Sequence, residues 1–358
     1  GEIPGISADV IQMFKRAYEK RLVKFSNGQV AQNNSSFATP VLTAAITDSN
    51  SALNNILRIK IKASDQQARL STLQVYVNGV PESICSKIFN RSIIDTVLSI
   101  DLSYGENIVD VSVRNIHGIE SYREHFRAYR SDSSAVKDLY ILAYGCSKFN
   151  QPEYNLKFPS KDAEDLATYF KSDNYRYRNV HVVTLTNELC SKDNWKSEML
   201  KIVSHAGIND NVVLFFASHG MVYEDDYYLA TYNTDFRQPE KYALNFSLVD
   251  SLLYSLRSRN KAVLIDACQS GELDKEYKST RFTAVPMEGV VLRSGTPIPV
   301  SNKNEISAFA LMKNQFSDLQ KNSGATVLAA SSGMQAAMES DTWNNGLFTY
   351  TILNGLKN

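Results

Sequence analysis

Cysteine is scarce in this chain: Cys85, Cys146, Cys190 and Cys268 are four residues in 358, and no Cys-x-x-Cys spacing occurs. Four scattered thiols exclude a disulfide framework, and no His/Cys cluster has the spacing of a zinc site. Charge of one sign is also missing. The 38 Lys and Arg residues balance 38 Asp and Glu, so no global positive field is available for nucleic acid or an anionic membrane surface. No apolar run approaches the length of a membrane span. A starting methionine and a signal-peptide pattern are absent as well, since the chain opens Gly1-Glu2-Ile3. We read it as a fragment whose upstream module lies elsewhere, and a reducing, cytoplasmic compartment fits the cysteine content.

What is present is a globular composition, 43% hydrophobic, in a chain long enough for two domains. Residues 1–35 read as a helix and a linker. Ile6, Val10, Met13, Phe14, Ala17 and Leu22 lie roughly on one helical face, and the polar stretch Asn27–Ser36 follows. Residues 36–132 read as short strands, at Val41–Ile46, Leu57–Ala63, Leu73–Val77, Ser92–Ile100, Asn107–Val113 and His125–Tyr129. Turn signals at Asn78-Gly79, Gly105-Glu106-Asn107 and His117-Gly118 separate them. This spacing predicts a small antiparallel, immunoglobulin-like sandwich. It carries no evident chemistry, and His117 and His125 read as surface residues.

Beyond Ser131-Asp132-Ser133-Ser134 the rhythm changes to strand–helix–strand over 137–358. Strands are predicted at Leu139–Ala143, Val180–Leu185, Val212–Ala217, Ala262–Ala267 and Thr326–Ala330. Helices are predicted at Ser160–Lys171 and Lys192–His205, from Ser247 with a capping-box-like Ser-x-x-Asp250 start, and at Phe348–Leu356. Strands without polar/apolar alternation, alternating with helices, predict a mostly parallel sheet covered on both faces.

Two of these strands end in chemistry. The first runs into Ala217-Ser218-His219-Gly220, the other into Asp266-Ala267-Cys268-Gln269-Ser270-Gly271. Ligands of open α/β sheets bind beyond the carboxyl ends of the strands. A thiolate is the nucleophilic form of cysteine, and an imidazole can take its proton. The backbone N–H groups of Gly220 and Cys268 are natural donors to a tetrahedral oxyanion. The blander reading, a buried thiol and a satisfied core histidine, competes for either residue alone.

The Ser-His-Gly and Asp-Ala-Cys-Gln-Ser-Gly motifs, with cysteine 49 positions after histidine, resemble the caspase pattern, and more closely its metacaspase and bacterial caspase-like branch. Tyr140–Gly145, the Lys161-Asp162-Ala163-Glu164-Asp165-Leu166 helix, Leu328–Gly333 with Gln335 and Glu339, and Gly346–Tyr350 resemble further parts of that domain in order. The resemblance implies an α/β caspase-like (caspase-hemoglobinase) domain with a mostly parallel six-stranded sheet flanked by helices. It implies a cysteine endopeptidase with a His219/Cys268 dyad and no cofactor. It also implies a substrate pocket lined by Asp162, Asp266 and Ser332, while the serine some relatives carry two residues before the histidine is Ala217 here. Two carboxylates in one pocket favour a guanidinium or an ammonium, hence cleavage after Arg or Lys. Lys161, pointed inward, would instead favour an acidic substrate, and a catalytically silent, peptide-binding scaffold is a further alternative. The N-terminal region resembles the segment between a β-propeller and a caspase-like domain in bacterial proteins, which implies an upstream propeller or other sensor.

Glu272–Ser323 reads as one long loop. Its Lys275, Lys278, Arg281, Arg293, Lys303, Lys313 and Lys321 are candidate self-cleavage points for an enzyme that accepts basic residues. The acidic turn Glu224-Asp225-Asp226 is a weak Ca²⁺ candidate without EF-hand spacing. The expected partner is a protein or peptide with a basic residue before the scissile bond, with no nucleic acid and no membrane.

Overall fold

A computed structural model describes residues 39–47, 55–82, 88–131, 136–172, 176–223, 226–267, 290–292, 308–330 and 338–357. The helix expected at 6–25 lies outside them. The chain divides into two compact units between Ala135 and Val136.

The first unit is all β. Strands β1 (Val41–Ile46), β2 (Ile56–Ser64) and β6 (Ile93–Asp101) form one antiparallel sheet. Strands β4 (Val80–Pro81), β3 (Leu70–Val77), β7 (Gly105–Asn115) and β8 (Glu124–Arg130) form the other in that order, with β5 (Ile88–Arg91) also paired to β3. Strand β2 shows the cause. Leu57, Ile59 and Ile61 are fully buried while Arg58 and Lys62 are exposed, the period of two that a half-buried strand requires. Val75, Val77, Val109, Val111 and Val113 supply the facing layer of the core. Asn78 and Gly79 turn β3 into β4 with φ of 53° and 78°, the left-handed pair of a type I′ hairpin. His125 is exposed and bonds Asp110 at 2.7 Å.

The second unit is built on a five-stranded, wholly parallel sheet. Its order is β10 (Val180–Thr186), β9 (Leu139–Gly145), β11 (Asn211–Ala217), β15 (Asn260–Asp266) and β17 (Thr326–Ala329). Among the described residues this sheet has five strands where six were expected, and the polar hairpin lies in a separate sheet. Its strands β12 (Gly220–Tyr223) and β13 (Asp226–Leu229) pair with each other, and β13 pairs in turn with β14 (Leu244–Asn245). A third small sheet runs β16 (Val290–Leu292), β18 (Met338–Ser340), β19 (Asn345–Gly346).

Alternation along the buried strands sorts side chains between two helical layers. Leu142, Tyr144, Leu214, Phe216, Val263 and Ile265 pack with α2 (Lys192–His205), α4 (Phe246–Ser255) and α5 (Ala308–Ser323). Ile141, Ala143, Phe215, Ala217 and Leu264 pack with α1 (Pro159–Ser172) and α6 (Leu347–Lys357). A short helix, α3 (Pro239–Tyr242), lies between β13 and β14.

Two expectations change. Helix α4 starts at Phe246 with Asn245 as its cap, whose Oδ1 accepts from the Ser247 N–H at 2.6 Å, so Ser247 lies inside the first turn and no Ser247/Asp250 box forms. The stretch expected as one loop to Ser323 contains β16 and the helix α5. Phe316 of α5 packs on Tyr227 and Phe246 with centroids 5.8 and 5.1 Å apart, and Leu319 is fully buried. Lys313 and Lys321 therefore sit on a helix, a poor shape for an extended substrate. Among the described residues no helix is long and apolar enough to cross a membrane.

Candidate active site at the carboxyl edge of the sheet

The register of the central strands sets the site. Strand β11 pairs with β15 so that Ala217 lies beside Asp266. In the sequence His219 and Cys268 each come two positions later, past the ends of these two strands, which as hydrogen-bonded neighbours lie ~4.8 Å apart. Cys268 itself lies outside the described residues, as does Ser332.

His219 is buried, only 4% exposed, and its Nε2 lies 2.8 Å from the Tyr154 carbonyl oxygen. A carbonyl can only accept, so in the neutral ring the hydrogen sits on Nε2 and Nδ1 is the basic nitrogen. Aromatic rings fix the imidazole. Phe149, Phe236 and Tyr154 surround it with centroids at 5.3, 5.8 and 6.5 Å, and Tyr154 stacks on Phe236 at 3.9 Å.

The loop carrying Tyr154 is tied down in turn. Asn187, held at a φ of 49°, accepts from the Ser147 and Lys148 N–H groups at 3.2 and 3.1 Å. Asn155 accepts from the Phe149 N–H at 2.8 Å.

Past His219 the chain enters the β12–β13 ladder. The Ala230 N–H donates to the His219 carbonyl at 2.9 Å, with Gly220 opposite Leu229. In an antiparallel ladder this makes Gly220/Leu229 a non-hydrogen-bonded pair, so the Gly220 N–H faces away from β13.

The two aspartates of the expected pocket are fully buried. Asp266 continues the Leu264 side of β15, and its Oδ2 accepts from the Thr349 hydroxyl of α6 at 3.1 Å. Asp162, in the first turn of α1, accepts through Oδ1 from the Gly346 N–H at 2.9 Å and the Asn345 side chain at 3.1 Å. Both carboxylates thus meet the β19–α6 junction, within the five residues Asn345–Thr349. Glu339 of β18 is also buried and lies in register with Gly346. Lys161 turns to Asp165, one helical turn on.

The Caspase domain family model matches residues 140–358. The chain belongs to the caspase-domain peptidase family. A search of curated proteins finds no match. Among solved structures, a structural-genomics target protein from Geobacter sulfurreducens is 19% identical with a TM-score of 0.41, covering 62% of this chain and 82% of its own. The PKD domain of a peptidase from a Thermoplasmatales archaeon is 12% identical with a TM-score of 0.21, covering 26% of this chain and 94% of its own.

Within the caspase domain, sequence reasoning singled out His219, Gly220, Asp162 and Asp266 but missed Tyr154, Phe149, Phe236, Asn345 and Thr349. Tyr154 acts on the imidazole through a backbone carbonyl, which leaves no mark on side-chain chemistry. Thr349 was visible only as part of the closing helix. Cys146 is not a rival nucleophile: burial pushes its thiol well above the ordinary range, with the neighbouring Cys190 thiol adding to the shift. Among the described residues no group of three His, Cys, Asp or Glu side chains could hold a metal. Glu224 and Asp225 lie outside them, and the Asp226 carboxylate accepts from Asn245, Ser247 and Gln315 at 3.4–3.5 Å.

Proposed function

We propose that this caspase-family chain is a cysteine endopeptidase that cleaves after Arg or Lys. The observation that carries the reading is the Ala217–Asp266 register on one sheet edge, since His219 and Cys268 each follow two positions later in the sequence. The Cys268 thiol gives its proton to Nδ1 of His219, because Nε2 already donates to Tyr154. The thiolate adds to the scissile carbonyl carbon. The N–H groups of Gly220 and Cys268 receive the oxyanion, and one such donor is worth ~10²–10³ in rate. His219 then protonates the leaving amine, and water hydrolyses the thioester.

Asp162 and Asp266 select the basic side chain, with Glu339 adding a third carboxylate nearby. Lys161 supports this choice, since its charge is answered by Asp165. Ser332 completes the pocket lining. The first unit is read as an immunoglobulin-like sandwich, because strand order β1-β2-β6 against β4-β3-β7-β8 matches strands A-B-E against C′-C-F-G.

A peptide-library cleavage profile of wild type and Cys268→Ala tests the activity. Cysteine-dependent cuts after Arg and Lys are expected. Cuts after Asp would overturn the specificity, and no cysteine-dependent cut would point to the scaffold role. Asp266→Asn should lower kcat/KM on Arg peptides at least about tenfold, since losing one partner of a buried charge pair costs ~2 kcal/mol or more.

A further inference from the structure

We propose that Asn187, at the end of an edge strand two strands away from β11, is a positioning residue for His219: its side chain fixes the loop whose carbonyl selects the ring's tautomer. The inference rests on the peptidase reading above and deepens it.

The local sequence explains the turn. Asn187 follows β10 directly and opens a 3₁₀ turn, Asn187–Leu189. Its φ of 49° lies in the left-handed region, which asparagine adopts far more readily than branched side chains do. Strand β9 has ended nearby at Gly145. The Cys146 N–H still reaches the Ala217 carbonyl at the end of β11, at 2.9 Å. The next two N–H groups, of Ser147 and Lys148, turn instead to Asn187 Oδ1 at 3.2 and 3.1 Å. Ser147 is buried, so its backbone needs such an acceptor.

Ser147 is the neck of the loop that carries Tyr154. Its carbonyl accepts from the Leu156 N–H at 2.8 Å, which brings the ends of residues 147–156 together. Inside that loop Asn155 Oδ1 holds the Phe149 N–H at 2.8 Å, and the Tyr154 carbonyl meets His219 Nε2. The same turn also holds the opposite wall. The Asn187 carbonyl accepts from the Cys190 N–H at 2.8 Å, the Cys190 carbonyl from the Tyr232 N–H at 2.8 Å, and the Tyr232 carbonyl from the Asn150 N–H at 2.9 Å. Phe236 follows four residues after Tyr232. The three rings around His219 therefore hang from one short turn, two of them through the side chain of Asn187.

A loop released at its neck lets the Tyr154 carbonyl drift, and a hydrogen bond weakens steeply as its angle closes. The neutral imidazole then populates both tautomers, and the one with hydrogen on Nδ1 has no lone pair there to take a thiol proton.

The test compares three versions of the full chain: wild type, Asn187→Gly and Asn187→Asp. Glycine keeps the left-handed backbone and deletes the acceptor, whereas aspartate tolerates that backbone and restores an acceptor oxygen. In Asn187→Gly, kcat on Arg peptides should fall at least about tenfold, and Asn187→Asp should recover it to within about threefold of wild type. The second arm reads the ring by ¹⁵N NMR of the histidine side chains, the His219 signals being assigned by their loss in His219→Gln. Wild type should show the neutral ring with its hydrogen on Nε2. In Asn187→Gly the two nitrogen signals should move toward each other as the tautomers mix, and Asn187→Asp should give the wild-type pattern. A wild-type ring spectrum in Asn187→Gly overturns the proposal. So does an equal loss in both variants, which marks a merely structural role. The NMR arm needs no turnover, so a failed peptidase reading, seen as no cysteine-dependent cleavage in the library, is recognised separately.

Discussion

A neutral imidazole carries one hydrogen, and at His219 the Tyr154 carbonyl decides which nitrogen holds it. The ring is also held by packing, with Phe149, Phe236 and Tyr154 around it. We therefore expect His219→Ala to lower kcat at least ~10³-fold, as removing one member of a catalytic pair does, and to cost ~2 kcal/mol or more in unfolding through the lost packing and Tyr154 bond. Steady-state assays beside urea melts check both halves. At Cys146 the raised thiol predicts no labelling by iodoacetamide at neutral pH in the folded chain, read by peptide mapping, because the thiolate is the reacting form. His219, Asp162 and Asp266 were legible in the sequence as candidates, since titratable side chains beside strand ends and helix starts mark themselves. Tyr154 was not, since any residue supplies a carbonyl.

Elements meet here through a few close approaches. Strand β9 ends at Gly145, where an added Cβ would sit 2.2 Å from the Pro159 carbonyl oxygen and 2.8 Å from Ala163 Cβ. Gly145→Ala must push α1 off the sheet edge, and a cost of ~1–3 kcal/mol is expected in urea unfolding. Because α1 carries Asp162, activity on Arg peptides should fall with it. At the opposite end of the sheet Asp138 is buried and accepts from Arg178 Nε at 2.9 Å and Nη2 at 3.1 Å. This bond, joined by those from Asn179 and His181 and opposed by burial, holds its carboxyl below the ordinary range. A depressed carboxyl contributes stability above its unfolded pKa of ~3.9 and loses it as pH falls through the folded value. Asp138→Asn should cost ~1–3 kcal/mol at pH 7, and the deficit should shrink below about pH 4 in the same assay. Most strands and helices were legible because period-two and helical patterns are strong. Helix α5 was not, as its apolar Phe316 and Leu319 follow a stretch rich in Gly, Pro and Ser.

At the scale of the whole molecule the chain is two compact units, and each contains its own buried cluster. We expect residues 36–132 expressed alone to unfold cooperatively in urea, because Leu57, Ile59, Ile61 and the valines facing them are buried within that unit. A non-cooperative melt would count against an independent sandwich. The sequence by itself determined the change of rhythm near Ser131–Ser134, the unbroken apolar strands that need cover on both faces, and the two motifs at strand ends. Those follow from local periodicity and side-chain chemistry, which are written one residue at a time. Only the tertiary structure decided that β11 and β15 are neighbours in the Ala217–Asp266 register, that Asp162 and Asp266 meet at Asn345–Thr349, and that β16 pairs with β18. The physical reason is that strand order and register are set by packing between residues far apart in the chain, and no local pattern encodes which distant edge a strand will join.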